Sequence, residues 1–282
     1  MKEQVVNTVV SRIAEIIERG VLPWTRPCLS QGPPLNFASG KPYRGVNHFV
    51  LGLTECAMGY DSPYWLTFKQ ALDAGGNVRK GEKGSPIAFW TDWTPKGEDP
   101  EETKIPVLRL YHAFNARQID GIDFPIVNPA MGDRFGTWEA GEAILTGYRD
   151  APMVVECAQR ASYLPCLDEV WLPRKEFYSN QDAYYKSLFH ELVHSTGHAT
   201  RLHRDLKQEP GTPGYAKEEL LAELGAALIC SHTGIFDRTQ ESSASYLFGW
   251  AKAIGENPMA FMAASGAAQK AVDWILGTRF SI

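Results

Sequence analysis

The chain has 282 residues, a formal net charge of -5 and 44% apolar residues, enough for two domains with real cores. The acidic balance excludes a strongly basic nucleic-acid binder by bulk charge, though not a local basic surface. Without a long apolar span or a signal-like start, the chain is expected to be cytoplasmic with no membrane partner, and its five scattered cysteines, none in a C-x-x-C pair, read as reduced thiols.

Val5, Val6, Val9, Ile13, Ile16 and Ile17 recur at helical spacing, which predicts an amphipathic helix over 4–19 that Gly20 ends. Pro23 and Pro27 bias their neighbours toward extended or turning chain. A second helix is expected over about 47–58, and Thr67 is placed to cap a short third. A Gly-rich basic turn over 75–86 leads into a strand at Ile87–Trp90, but its residue order is not that of a phosphate-binding loop. A polar hairpin tip over 92–104 precedes the next strand, Val107–Phe114.

Basic and aromatic residues interleave through this first part. Cations meet phosphates and flat rings stack on unpaired bases, so the pattern suits single-stranded nucleic acid. The candidate contacts are Trp24, Arg26, Tyr43, Arg44, Trp65, Lys69, Arg79, Lys80 and Lys83. The same composition would also build a small domain's core with a wet basic surface.

Asn128–Asp133 has the composition of a linker, dividing an α+β chain into domains at 1–127 and 128–282. A helix at 138–147 and short strands at 153–156, 161–164 and 169–173 lead to a helix at about 180–196, which Ser179 or Asn180 can cap. That helix carries His190-Glu191-Leu192-Val193-His194, an H-E-x-x-H motif. One helical turn puts both imidazoles on one face, where they can share a zinc ion, and Glu191 can take a proton from water. The next helix, about 215–229, offers Glu219 and Glu223, also one turn apart. Glu219 is the candidate third ligand and Glu223 the residue behind it, and the reverse assignment stays open. The longer motif with a third histidine after Gly197 is not met, because position 200 is Thr200. His198, His203 and His232 are further possible ligands, and Tyr215, His198 and His203 are candidates to steady a developing oxyanion. The strand at 161–164 could hold an extended peptide by its edge. Two further helices are expected, one at 246–254 and one starting at Pro258.

Over nearly its whole length the chain resembles the ArdC-type antirestriction proteins. The likeness rests on Leu22-Pro23-Trp24, Tyr43-Arg44-Gly45-Val46-Asn47, Ser62 to Gln70 and Val78 to Gly84 in the first part. In the second it rests on Phe189 to His198, Arg201-Leu202 and Tyr215 to Glu223. The resemblance implies a small N-terminal domain that binds single-stranded DNA. It also implies a zincin-like metallopeptidase domain, with His190 and His194 on the metal, Glu191 as base and a glutamate of the second helix as third ligand. It implies a role in protecting DNA during conjugative plasmid transfer. Two rivals remain: a DNA-coating protein whose metal is only structural, and a metal-dependent nuclease or primase. The latter is disfavoured because such chemistry usually uses clustered carboxylates on two hard ions.

Overall fold

The computed structural model describes residues 2–21, 32–94, 103–126, 136–235, 252 and 254–278. Trp24 and Arg26, the linker at 128–133, residues 95–102 of the expected hairpin tip and most of the expected helix at 246–254 lie outside them.

Helix α1 (Lys2–Glu18) forms where the Val/Ile pattern predicts it, burying Val5, Val6, Val9, Val10, Ile13, Ile16 and Ile17. Its apolar stripe packs on a sheet of order β1-β2-β5-β4, built from β1 (Leu35–Asn36), β2 (Tyr64–Thr67), β5 (Ile105–Asn115) and β4 (Ser85–Trp93). The long antiparallel hairpin β4–β5 pairs from Ser85↔Ala113 to Trp93↔Ile105. As the edge strand, β4 would present unpaired backbone groups. The buried Asn47 side chain of α2 (Val46–Met58) covers that edge at Ala88, donating to its carbonyl and accepting from its N–H, both at 2.8 Å. Thr67 caps α3 (Phe68–Asp73) in a reciprocal capping box with Gln70. A small pair, β3 (Asn77–Val78) with β6 (Ile119–Asp120), completes this half.

The second half opens with α4 (Gly136–Gly147) and a sheet of order β7-β9-β8: β7 (Met153–Glu156), β9 (Glu169–Leu172) and β8 (Ser162–Leu164). The strand nominated for peptide docking is thus an edge strand. Helices α5 (Gln181–Ser195), α6 (Pro213–Thr233) and α7 (Pro258–Ile275) pack behind it. Asn180 caps α5 by accepting from the Ala183 N–H at 2.8 Å.

Helix α7 touches both halves. It packs on α6 and α5 on one side and on α1 and α2 on the other. Phe261 meets Phe49 edge-on at 6.3 Å, Asp273 pairs with Arg44, and Gln269 accepts from the Gly45 N–H at 3.1 Å. A continuous apolar core therefore runs from α1 through to α7. One thiol expectation is corrected: Cys56 is disulfide-bonded, whereas Cys157, Cys166 and Cys230 are not in disulfides. No helix among the described residues is long and apolar enough to cross a membrane.

Candidate metal centre

The site begins with two helices that approach unusually closely. Gly225 of α6 faces Val193 of α5, and a Cβ at 225 would fall 2.7 Å from Val193 Cγ2. With no side chain there, α6 can bring its carboxylates up to the histidines of α5.

His190 and His194 point their Nε2 atoms at each other, 3.1 Å apart. Glu219 of α6 meets both, with one carboxylate oxygen 3.4 Å from His190 Nε2 and the other 3.6 Å from His194 Nε2. The opposite ring nitrogens face other carboxylates, one within hydrogen-bond distance and one beyond it. His194 Nδ1 lies 3.2 Å from Glu218, and His190 Nδ1 lies 3.7 Å from Glu223. At His194 the Glu218 carboxylate favours the tautomer with its proton on Nδ1 and the Nε2 lone pair free. Donor atoms of His190, His194 and Glu219 all lie within 4.8 Å of one another, and these contacts fit the roughly 3–3.5 Å spacing of ligands held about 2 Å from one ion. The donor set fits a divalent transition metal. Glu223 stands behind His190 rather than at the meeting point of the Nε2 atoms.

Sequence reasoning missed two residues here, Glu218 and Arg204. Arg204 donates to both Glu218 oxygens, at 3.0 and 2.8 Å, to Thr196 Oγ1 at 2.7 Å and to the Val193 carbonyl at 2.9 Å. It thereby ties the end of α5 to the carboxylate that holds His194. Arg204 lies three residues after Arg201, in a loop whose partners are remote in sequence, so no local pattern marks it.

A second arginine steadies the cleft's other wall. Arg201, almost wholly buried, pairs with Asp168 at 2.6 Å and donates to the Ser195 carbonyl at 2.8 Å and the Asp150 carbonyl. Asp168 accepts from the Tyr163 hydroxyl at 2.8 Å, which holds strand β8 against the metal helix. Burial pushes the Asp168 carboxyl up, but Arg201 and Tyr163 more than offset this and hold it below its ordinary value.

The electrostatics are those of a cation site. Burial pulls the His190 pKa down, yet Glu219, Glu223 and Glu191 together leave it raised. Hydrogen bonding to His190 holds Glu219 low, against some desolvation. Glu218 is lowered despite burial, by His194 and Arg204. Glu191 is buried and its pKa is raised by desolvation, with a hydrogen bond from the Tyr163 backbone opposing the rise. These groups border a cleft of about 430 Å³ lined also by Ala161, Ser162, Tyr163 and Tyr215. Tyr215 hydrogen-bonds Glu219, which raises its own pKa. His198 bonds Thr200 at 2.8 Å and His203 is exposed, and neither lines the cleft.

The nominated DNA contacts are scattered by the fold. Trp65 is 0% exposed and donates its indole N–H to the buried Glu55 at 2.5 Å. Tyr43 is 4% exposed and its hydroxyl accepts from Asn36. Both are core residues with no free ring face, which corrects their assignment as stacking platforms. Arg44 is engaged with Asp273, and Arg79 with Glu82, Asp120 and the Arg117 carbonyl. Lys69, Lys80 and Lys83 are exposed.

Comparison with known proteins agrees with this layout. Residues 3–114 match the family model described as the N-terminal domain of anti-restriction factor ArdC, and residues 142–267 match a zincin-like metallopeptidase model. The metal-free crystal structure of the antirestriction ArdC protein from plasmid R388 is 33% identical, covering 96% of each chain with a TM-score of 0.73. Its Mn(II)-bound form is 31% identical, with a TM-score of 0.71 over 96% of this chain and 97% of that one. Protein y4eC of Sinorhizobium fredii is 33% identical over 95% of this chain and 90% of its own. Two DNA primases TraC of Escherichia coli are 35% and 33% identical over 95% and 96% of this chain, which spans only 26% and 20% of their length. The metal expectation is corrected by these relatives: the metal-bound ArdC structure holds Mn(II), not zinc. Imidazole and carboxylate donors accept several first-row divalent ions, Mn(II) among them. Matched over almost its entire length by a solved member, the chain belongs to the ArdC family of antirestriction proteins.

Proposed function

We propose that this is an antirestriction protein that binds single-stranded DNA with its N-terminal half and holds a divalent transition-metal ion on His190, His194 and Glu219. The observation that carries the metal reading is the meeting of both Nε2 atoms with the Glu219 carboxylate while Glu218 holds His194 from its Nδ1 side. The DNA reading is supported by family membership and by exposed, uncommitted lysines on the N-terminal half. Titrating the full chain with Mn(II), and separately with a labelled oligothymidylate, tests the two parts. One ion per chain, lost in Glu219→Ala, and salt-sensitive DNA binding are expected.

A second reading is favoured by Glu191: the same cleft hydrolyses peptides. When bound, the ion supplies Lewis acidity toward a carbonyl. The chain's own residues do the rest. Glu191, desolvated and beside the histidines, is a proton acceptor made more basic than an ordinary carboxylate by its burial. The edge strand β8 offers main-chain groups to an extended substrate. Tyr215 places a hydroxyl on the cleft wall. Glu191→Gln separates the readings: it keeps the ion, and it abolishes peptide cleavage wherever the wild type shows any. Cleavage that persists in Glu191→Gln would remove this residue from the chemistry.

A further inference from the structure

Hairpin β4–β5 carries a cluster of exposed aromatic side chains. Phe89, Trp90, Trp93 and Tyr111 are 41%, 56%, 44% and 37% exposed. The pairing register sorts them by face. Phe89 lies opposite Arg109, Ile87 opposite Tyr111, and Trp93 opposite Ile105, so Tyr111, Phe89, Arg109 and Trp93 share one face. Phe89 and Tyr111 meet edge-on at 6.3 Å. Trp90 falls on the other face, under the Lys2 ammonium.

Such rings are costly to leave in water unless something covers them, and three features point to what does. Successive rungs on one face are roughly 7 Å apart, so the rings present separate flat surfaces rather than one compact apolar knob. Arg109 sits in their midst, exposed and without an ion pair among the described residues. By contrast, Arg44, Arg79 and Arg117 are each committed to carboxylates. The turn that enters β4 adds the exposed Lys80 and Lys83 at the base of the hairpin. Rings flanked by free cations complement bases flanked by phosphates. A second copy of the chain meeting this face about a twofold axis would set Arg109 against its own copy, which like charge disfavours.

We infer that the Tyr111–Phe89–Arg109–Trp93 face of the hairpin is where single-stranded DNA stacks, in place of the buried Trp65 and Tyr43. The inference rests on the proposal above that the N-terminal half binds single-stranded DNA. The bases lie on the rings with little sequence preference, and Arg109 takes a phosphate.

The test titrates a labelled oligothymidylate with full-length wild type, Phe89→Ala/Trp93→Ala and Arg109→Ala at several salt concentrations. The ring variant is expected to bind roughly 30-fold more weakly, the loss of two stacks. Arg109→Ala is expected to lower the log–log salt slope by roughly 0.7, one phosphate on a single strand. Mn(II) binding measured on the same samples shows that the variants are folded. Wild type that fails to bind the oligonucleotide overturns the DNA reading itself. Wild type that binds, with ring variants binding equally well, leaves that reading standing and overturns this surface. Unchanged DNA binding together with loss of a dimer on sedimentation would assign the face to a second copy instead.

Discussion

Two desolvated histidines, His48 buried and His190 half-buried, one in each half, answer the loss of water in opposite ways. His48 of α2 lies against Phe49 with no carboxylate among the groups that set its pKa, and desolvation pushes it down to about 4, with a backbone hydrogen bond to Tyr43 opposing. His190 is also desolvated, yet its pKa is raised, because Glu219, Glu223 and Glu191 surround it. Burial alone makes a neutral core histidine. Burial inside a ring of carboxylates makes a place that wants a cation, and the same imidazole serves a quite different purpose.

The sharpest way to break this comparison is to remove a ligand. His194→Ala or Glu219→Ala should lower Mn(II) affinity by roughly a thousandfold or more, beyond the 10–100-fold typical of residues one contact further out. Isothermal titration with Mn(II) measures it. Oligothymidylate binding should be unchanged in both variants, and its loss would show that the halves are not independent in binding. Arg204→Ala comes next. It strips a partly buried Glu218 of its counter-charge, and the carboxylate that steadies His194 is freed to move. Affinity should fall roughly 10–100-fold, and stability by about 3 kcal/mol. Arg204→Lys, which keeps the charge but not the two-pronged contact, should recover only part of both.

The opposite pKa directions give opposite pH behaviour in the metal-free protein. His48 has a folded value below its ordinary 6.5, so its contribution is whole above that pH and is lost as the solution is acidified toward 4, up to about 3 kcal/mol. His190 has a raised value, so its contribution is present below pH 6.5 and fades as pH rises through the folded value. Denaturant midpoints measured across this range for His48→Asn should lose the acid-side slope, while Mn(II) should erase only the His190 effect.

Much of this was legible in the chain. Helix α1 could be read because Val and Ile recur at one-turn spacing, and α3 and α5 because Thr67 and Asn180 are capping residues placed just before apolar runs. The two histidines were legible because their relation is local to one helix. What the sequence hid depends on partners far along the chain. Whether Trp65 stacks on DNA or fills the core is decided by Glu55 and the sheet around it, not by the lysines beside it in sequence. Glu218 reads like any solvated helix glutamate until the loop brings Arg204 to it. The sign of an interleaved aromatic–basic pattern is set by which face of a strand each ring takes, and that follows from the pairing of β4 with β5.

The smallest change tests the spacing on which the site depends. Gly225→Ala adds one methyl where Val193 leaves no room, so α5 and α6 must part by some tenths of an ångström or Val193 must move. A helix interior normally gains about 1 kcal/mol from Gly→Ala. Here overpacking costs about 1–3 kcal/mol, and it should win, because the obstacle is a β-branched side chain fixed on a packed helix. Parting the helices also draws Glu219 from the imidazoles, so Mn(II) affinity should fall several-fold along with stability. Val193→Ala in the same chain removes both methyls that meet the new one and should restore metal affinity more fully than stability, since it leaves a small cavity. If Gly225→Ala binds Mn(II) as tightly as wild type, the contact between these helices is not what sets the reach of the carboxylate.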